Sequence, residues 1–350
     1  MTVQPMDEVI KQCRSVLSDQ YNISDCNITS LDGGLINKSF LVKVSGKPRF
    51  VLQRISNHFE STVTEKIDLV SKHLISKKID APQIIPANNG DLVSRVSSDS
   101  WRLLKFIRGF SKKTVNSAEE SAELAKCLGL FHLNIQDCKG IEKKLRRGRG
   151  AEVQLKKLYA AFNKFPGHKS LDEVKICAKA VQKNQKHLPP IRIFPEHVLH
   201  GDPKVSNFLF AEDGLVAKCM IDFDTVGWTE LSWELADAFR SWCNPLSEDQ
   251  ISGTFDLRIF ETSLYSYVQT IGNAFPIEEI SNSLSATGHI FLELAMRFLV
   301  DALEEEYFGW DSNNFDSASS HNLVRAKGQI SACESLLANW SEAKQVVSNL

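Results

Sequence analysis

The sequence predicts an α+β protein of two lobes: a small antiparallel β lobe with a helix, followed by a large, mainly helical lobe. Short apolar runs separated by turn signals fill the first third of the chain, whereas helical periodicity dominates from about residue 117 onward. The chain of 350 residues also exceeds the roughly 100–200 residues of a typical single domain. We therefore expect one lobe at 1–107 and a second at 108–350.

The first lobe is predicted from alternating apolar runs and turns. Residues 7–17 have the apolar spacing of a helix, and a second helical stretch covers 60–77. The turn signals DGGLIN and SGKP separate the first three β-like runs, which indicates a meander. The β-like runs of this lobe are NITSL, SFLVKV, RFVLQRI, QIIPA, DLVSRVS and WRLLKFI.

The second lobe is predicted to be helical with one β interruption. The interruption consists of the runs HVLH, NFLF and VAKCMID. The segment AEDG at 211–214 separates the last two and predicts a β-hairpin. Helical spacing is present around 124–131 and at 151–163, 170–187, 230–241, 257–271 and 284–307.

Composition and charge exclude several classes of partner. A charged fraction of 24%, a hydrophobic fraction of 43% and a net charge of −2 give no overall attraction to nucleic acid or anionic membrane. The basic run KKLRRGRG at 143–150 favours a solvated loop, because no aromatic residues or wider positive charge support a binding track. The eight cysteines are scattered, and neither a secretory signal nor a long apolar span is visible. We therefore expect a cytoplasmic protein of open oligomeric state.

The segment VLHGDPKVSNFLF places an acid, a lysine and an amide on one short loop. Phosphoryl transfer needs a carboxylate to orient and deprotonate the attacking hydroxyl, ligands for Mg²⁺, and positive charge near the transferred group. Asp202, Lys204 and Asn207 have the spacing of a kinase catalytic loop. Asp222 in MIDFDT follows the predicted hairpin as a second metal ligand, with Asp224 close behind. The HGD loop, the asparagine five residues after its aspartate, the hairpin and the following Asp222 together predict a phosphotransferase site.

LHGDPKVSNFLF together with MIDFDTVGWTELSWELADAFRS resembles the aminoglycoside phosphotransferase and choline kinase superfamily, whose members share the protein-kinase-like fold. The resemblance extends along nearly the whole chain and is greatest to the N-acetylhexosamine 1-kinase group. It implies an ATP-dependent enzyme that uses Mg²⁺ to phosphorylate a sugar at its anomeric hydroxyl. The further segments that carry it are GGLINKSFLV, RFVLQRIS, WRLLKFI, AMRFLVDALEEEYF and HNLVRAKGQI.

The resemblance implies roles for individual residues. Asp202 carries over as the catalytic base, and Asn207 and Asp222 as the Mg²⁺ ligands. Lys204 fits a phosphate contact, and Asp237 matches a position that braces the catalytic loop from a helix. The expected nucleotide contacts are Gly33, Gly34, Asn37, Gln53, Arg54, Leu104 and Phe106. The expected substrate contacts are Asp202, Asp224, Arg297 and Asp301.

The sequence departs from the family pattern at the strand lysine that this fold usually offers to the nucleotide phosphates. Gln53 stands at the expected position, with Arg54 beside it. Successive strand side chains point to opposite faces, so one of the two at most can enter the nucleotide cleft. Lys204 or Lys38 could take over the contact. The turn DGGLIN lacks a full G-x-G-x-x-G, so it is either a phosphate cradle or a tight hairpin.

The sequence leaves several alternatives for the molecule that accepts the phosphate. Glu293, Arg297 and Asp301 recur every four residues on a largely apolar helix. They form either a self-paired ladder that faces water or a stripe whose last two members bind sugar hydroxyls or an acetamido group. Homoserine, choline and aminoglycosides remain alternative acceptors for the same phosphoryl transfer. A nucleotide-binding pseudokinase, marked by Gln53, is a further alternative.

Overall fold

A computed structural model of the chain describes residues 6–31, 37–55, 62–96, 98–143 and 150–350. The predicted turn at Gly33 and Gly34 and most of the basic run KKLRRGRG lie outside the described residues. The chain forms two compact units. The first comprises Met1–Arg108 together with Ile221–Asp224, and the second comprises Gly109–Met220 and Thr225–Leu350. The sequence did not predict that the four residues Ile221–Asp224 join the first unit.

The first unit is built on a six-stranded antiparallel sheet with the order β1-β2-β3-β6-β4, in which β5 also pairs with β6. Two helices, α1 (Met6–Tyr21) and α2 (Thr62–Ser76), belong to the same unit. The strands are β1 (Cys26–Leu31), β2 (Lys38–Val44), β3 (Lys47–Ile55), β4 (Ile84–Ile85), β5 (Ser94–Val96) and β6 (Asp99–Lys105).

One face of this sheet carries the apolar core. The strand register pairs Leu52 with Phe40 on one side and Leu103 on the other, so these side chains share a face. All three are buried in one cluster with Val16 and Leu17 of α1. The amphipathic first helix therefore covers this face.

The opposite face of the same sheet is polar at its centre. Gln53 pairs with Ser39 and Arg102, so these three side chains alternate with the core residues and lie on the other face. Arg54 pairs with Lys38 in the register and belongs to the core face. The predicted alternation between Gln53 and Arg54 is thus present, and Gln53 shares its face with Arg102.

The second unit is mainly helical and is organised around α9, which packs against α4, α5, α6, α8, α10 and α11. Buried residues occur all around α9, which accounts for the apolar composition that the sequence showed there. Its helices are α3 (Ala118–Ile135), α4 (Ala151–Lys164), α5 (Leu171–Gln185), α6 (Leu231–Trp242), α7 (Leu257–Ile271), α8 (Ile277–Ser281), α9 (Ser283–Glu304), α10 (Ala318–Ala338) and α11 (Trp340–Ser348). In the described part of the chain, no helix is both long and apolar enough to cross a membrane.

Two short antiparallel strand pairs interrupt the helices of the second unit. The pair β8 (Phe208–Phe210) and β9 (Ala217–Met220) is the predicted hairpin, and a bond from Ala211 N–H to the Val216 carbonyl closes its turn at 2.8 Å. The other pair joins β7 (Glu196–Leu199) to β10 (Gly227–Glu230). The strand β10 was not predicted, because four residues directly before a helix give too little periodicity and their pairing with β7 is non-local. The loop between β7 and β8 contains the predicted catalytic residues.

Candidate active site

The loop between β7 and β8 brings three of the predicted residues together. Asn207 Nδ2 donates to the backbone carbonyl of Asp202 at 2.8 Å and to its Oδ2 at 3.0 Å. Lys204 Nζ lies 2.9 Å from the same Oδ2. Asn207 is buried, whereas 26% of the Asp202 side chain is exposed. The carboxylate is therefore held from the protein side and open to an incoming group.

The electrostatic environment keeps Asp202 ionised. Burial alone would raise the pKa of this carboxyl, but the nearby charges of Lys204, His200 and Arg240 and the hydrogen bond from Lys204 outweigh it. The pKa therefore lies below its usual range. At neutral pH the group is a carboxylate that can accept a hydrogen bond from an alcohol.

Glu234 of α6 holds the backbone at the start of this loop. Its Oε1 accepts from the His200 N–H at 2.9 Å, and its Oε2 accepts from the Gly201 N–H at 2.8 Å. The His200 ring is fully buried, and its Nδ1 accepts from the Asp202 N–H at 3.3 Å. One carboxylate thus fixes the two residues that immediately precede the proposed base.

The last turn of α6 holds the other end of the loop. Trp242 Nε1 donates to the Pro203 carbonyl at 2.9 Å, and Ser241 Oγ accepts from the Val205 N–H at 3.0 Å. Both side chains leave the same helix as Glu234. The loop is therefore held by one rigid element.

Asp237 of α6 was expected to brace the loop, and a second acid of the same helix binds the loop backbone. Asp237 Oδ1 accepts from Arg240 Nε at 2.8 Å. This acid is Glu234, three residues earlier in α6, which accepts from two backbone N–H groups of the loop. The helix was predicted, but the residue was not. A buried glutamate within the apolar face of WELADAF was the signal that the sequence offered.

Glu234 is itself held by a buried network. His132 Nε2 lies 3.3 Å from Glu234 Oε1, and His132 Nδ1 lies 2.7 Å from the Tyr267 hydroxyl. Burial would raise the pKa of Glu234, but the hydrogen bond and charge of His132, the charge of His200 and the Gly201 N–H lower it below its usual range. Glu234 therefore remains charged and keeps both acceptor atoms.

The second predicted acidic segment lies in the first unit. Asp222 has a φ of 65°, a left-handed backbone conformation that few residues other than glycine adopt and that aspartate tolerates. Such conformations cluster at functional sites. Asp224 is buried, with Oδ1 2.6 Å from Arg102 Nη2 and Oδ2 accepting from Asn37 Nδ2 at 2.7 Å. Protein side chains thus bind both oxygens of Asp224, and we leave it out of the proposed substrate contacts.

Arg102 is a residue of this region that the sequence analysis missed. Its Nε donates to Gln53 Oε1 at 2.7 Å, and Gln53 Nε2 donates to Ser39 Oγ at 3.1 Å. Arg54 lies on the other face of the sheet and pairs with Asp99 at 2.6 Å. The sequence feature that could have indicated this role was an arginine inside the apolar run WRLLKFI. Arg102 therefore forms the charged centre of the sheet face that carries Gln53.

The segment at the end of β6 was expected to contact adenine, but its first two backbone N–H groups donate to carbonyls of the protein. The Lys105 N–H donates to the Gln83 carbonyl at 2.8 Å, and the Phe106 N–H donates to the Arg49 carbonyl at 2.9 Å. Leu104 is buried between β3 and β4. Any backbone donor to a purine in this segment therefore follows Phe106.

Asp301 holds the turn that follows α9. Its Oδ1 accepts from the backbone N–H groups of Glu306 at 3.0 Å and Tyr307 at 2.7 Å. Its Oδ2 accepts from the Phe308 N–H and from Asn322 Nδ2, both at 2.9 Å. These four bonds give Asp301 a structural role, and we do not include it among the proposed substrate contacts.

The other two members of the α9 stripe also bind elsewhere. Glu293 accepts from the Gly150 N–H at 3.0 Å. The Arg297 guanidinium lies 5.7 Å from the Tyr307 ring centre and 5.5 Å from that of Phe308. The self-paired ladder, one of the two alternatives, does not form among these described residues. Arg297 is partly exposed and remains a predicted substrate contact.

The predicted metal ligands suit Mg²⁺ by their chemistry. Mg²⁺ takes oxygen ligands, usually one or two protein groups together with substrate phosphates and water. Both hydrogen bonds from Asn207 to Asp202 use its nitrogen, so its amide oxygen is the atom that can bind a cation. No cluster of three or more His, Cys, Asp or Glu side chains able to hold a metal is present among the described residues. A cation held mainly by phosphates, water and one or two protein oxygens needs no such cluster.

The fold is shared with several solved kinases. An aminopropanol kinase associated with a microcompartment matches with a TM-score of 0.63 and 12% identity, over 96% of this chain and 98% of its own. An amicoumacin kinase in complex with AMP-PNP, Ca²⁺ and Ami matches with a TM-score of 0.59 and 13% identity, over 93% of both chains. A spectinomycin phosphotransferase with ADP and spectinomycin matches with a TM-score of 0.53 and 13% identity, over 100% of both chains. These TM-scores, over most of each chain, show a common fold.

A sheet unit and a helical unit with an HGD loop between strands define a protein of the kinase-like fold, as the sequence predicted. The profile of the phosphotransferase enzyme family, APH, matches residues 27–263. The chain belongs to this family and is a phosphotransferase.

Replacement of Glu234 should release the catalytic loop. In Glu234→Gln, one of the two oxygens becomes an NH₂ group that cannot accept from the loop backbone. We expect the free energy of unfolding in urea to fall by about 1–3 kcal/mol and kcat to fall more than the nucleotide KM changes. Glu196→Gln, which removes a partly exposed pair with Lys143, is the matched control. Equal effects of both variants would contradict the bracing role.

The same variant has a defined pH dependence. Because the folded-state pKa of Glu234 lies below the reference value of 4.5, its charge stabilises the fold above that pH. This stabilisation is lost as the pH falls through the folded-state pKa. The difference in unfolding free energy between wild type and Glu234→Gln should therefore be full at neutral pH and shrink below about pH 4.5.

Proposed function

We propose that this phosphotransferase moves the γ-phosphate of ATP to a hydroxyl group of a small molecule. The observation that carries the proposal is the Asp202 carboxylate, which is ionised, partly exposed and held by Lys204 and Asn207. An alcohol that donates to this carboxylate is oriented for attack and loses its proton to it. Lys204 places positive charge beside the reacting group.

ATP and Mg²⁺ are the proposed cofactors. Asn207 and Asp222 would hold the ion through an amide oxygen and a carboxylate. When bound, Mg²⁺ neutralises charge on the phosphates and aligns them. The β8–β9 register supports this pair of ligands, because Phe208 pairs with Met220, Asn207 directly precedes Phe208, and Asp222 follows Met220 by two residues. The presence of AMP-PNP with Ca²⁺ and of ADP in two of the similar structures is consistent with this choice.

The nucleotide contacts are proposed to lie in the first unit, which contains Gln53 and the strand end after Leu104. Lys38 and Arg54 belong to the core face of the sheet, so neither shares a face with Gln53. For this reason we favour Lys204 over Lys38 as the lysine that contacts phosphate.

For the acceptor we propose an N-acetylhexosamine that is phosphorylated at its anomeric hydroxyl to give a sugar 1-phosphate. The support is the sequence resemblance at AMRFLVDALEEEYF and HNLVRAKGQI, together with Arg297. Its guanidinium already lies over the Tyr307 and Phe308 rings and would repel a cationic acceptor from them. Homoserine, choline and aminoglycosides are the competing acceptors.

The base assignment is tested by Asp202→Asn. The amide keeps the shape of the side chain but cannot take a proton, so we expect kcat to fall by about 10²–10⁴-fold while ATP–Mg²⁺ binding is retained. Phosphate transfer is followed by ADP release and binding by calorimetry. Asp213→Asn at the exposed hairpin turn is the matched control. Near wild-type turnover of Asp202→Asn would refute the assignment.

The metal assignment is tested by Asp222→Asn, because asparagine also tolerates the left-handed backbone conformation of this residue. The variant should lose most of the gain in nucleotide affinity that Mg²⁺ confers, with metal-free nucleotide affinity unchanged. Calorimetric titration with AMP-PNP, with Mg²⁺ and with a chelator, measures both quantities. An unchanged response to Mg²⁺ would remove Asp222 from the metal site.

The acceptor is identified by a panel of N-acetylglucosamine, N-acetylgalactosamine, homoserine, choline and an aminoglycoside, each with ATP and Mg²⁺. We expect the highest kcat/KM with an acetylated sugar, and a product that lacks a free reducing end. A higher kcat/KM with a cationic acceptor would contradict the sugar assignment. Nucleotide binding without turnover of any acceptor in the panel would favour the pseudokinase.

A further inference from the structure

The polar face of the first unit's sheet contains a buried ion pair that the proposed chemistry does not use. Arg102 Nη2 lies 2.6 Å from Asp224 Oδ1, and each side chain is 2% exposed. The Arg102 Nε is held by Gln53 at 2.7 Å. Its Nη1 is buried and has no hydrogen-bond partner in the described part of the chain. The arginine is therefore fixed in place with one donor group unsatisfied.

Stability gives a poor explanation for this pair. The loss of hydration on burying two charges offsets much of the free energy gained from their attraction. A well-packed apolar pair of the same size is often as stable. The unsatisfied Nη1 adds a further cost. A buried pair of this kind is better explained by the position that it imposes on the chain.

The ion pair fixes Asp224 jointly with two other parts of the first unit. Asn37, directly before β2, donates to Asp224 Oδ2 at 2.7 Å. Lys66 of α2 donates to the Asp224 carbonyl at 3.1 Å. The side chain and the backbone of one residue are thus bound from β6, from the start of β2 and from α2. These contacts explain why Ile221–Asp224 belongs to the first unit.

Asp222 is separated from Asp224 by one residue, Phe223, whose side chain is 2% exposed. Phe223 and Asp224 are therefore both immobilised, which leaves few conformations to the residue before them. Asp222 has the left-handed backbone conformation there. A segment that was free at Asp224 would have no reason to keep this conformation.

We propose that Arg102 is a positioning residue for the metal ligand Asp222, and that it acts through Asp224. The proposal rests on the proposed function, because the metal role of Asp222 is itself part of it. The guanidinium holds the Asp224 carboxylate, the carboxylate holds the segment Ile221–Asp224, and the segment presents the Asp222 carboxylate to the ion. Arg102 itself makes no contact with the nucleotide phosphates.

The test compares nucleotide binding with and without metal. In Arg102→Lys the charge remains but the forked geometry is lost. We expect the affinity for AMP-PNP in Mg²⁺ to fall by about 10–100-fold, the range observed when residues that orient metal ligands are replaced. The affinity for AMP-PNP in a chelator should not change. Spin-resonance titration of Mn²⁺ in the presence of AMP-PNP should show the same loss of ion binding.

A second variant distinguishes loss of metal-dependent binding from misfolding of Arg102→Lys. Arg102→Met combined with Asp224→Leu replaces the ion pair by an apolar pair, which buried sites of this kind tolerate. We expect it to fold, as judged by circular dichroism and thermal melting, and to lose the metal-dependent affinity like Arg102→Lys. Asp99→Asn, which removes the Arg54 pair on the other face of the same strands, is the matched control and should bind as wild type.

Each contrary outcome has a distinct meaning. An equal loss of affinity with and without metal would show that Arg102 binds phosphate directly, and it would overturn the positioning role. Full metal-dependent affinity in Arg102→Lys and in the folded double variant would also overturn it, provided that Asp222→Asn loses that affinity. If the wild-type protein itself shows no metal-dependent nucleotide binding, the proposed function fails instead.

Discussion

The proposed chemistry depends on one buried carboxylate that binds the protein backbone. Glu234 accepts the N–H groups of His200 and Gly201 and so fixes the backbone directly before Asp202. A buried acceptor of this kind is effective because a backbone donor left without a partner inside the protein is costly. His132 keeps the glutamate charged, and Tyr267 holds the histidine. The position of the base is therefore set by α3, α6 and α7.

The same physical device recurs at two other buried acids. Asp301 holds the turn after α9 through three backbone N–H groups and one side-chain amide. Asp224 is held by Arg102 and Asn37 and fixes a short segment of chain. A carboxylate offers two strong acceptor atoms, so one side chain can determine the path of a whole turn. Glu234, Asp301 and Asp224 therefore each fix a short stretch of backbone.

The sequence was most informative where local patterns determine structure. The β-meander, the hairpin before Asp222 and the helices α3 to α7 and α9 follow from periodicity and turn residues, and the spacing of Asp202 and Asn207 predicted that both lie on one loop. The helix α10 was not predicted. The roles of Glu234, Asp301 and Arg102 could not be predicted in this way. Their partners lie far away in sequence. An acidic residue that binds substrate cannot be told from one that binds backbone by its identity alone. The strand β10 was missed because its pairing with β7 is equally non-local.

The passage of Ile221–Asp224 into the first unit has a consequence for how the chain folds during synthesis. Residues up to Arg108 emerge from the ribosome long before Asp224, so a sheet formed at that stage would lack the counter-ion of Arg102. The sheet acquires its complete set of contacts after more than a hundred further residues have been translated. A chain that ended near residue 108 would therefore lack the carboxylate that pairs with Arg102.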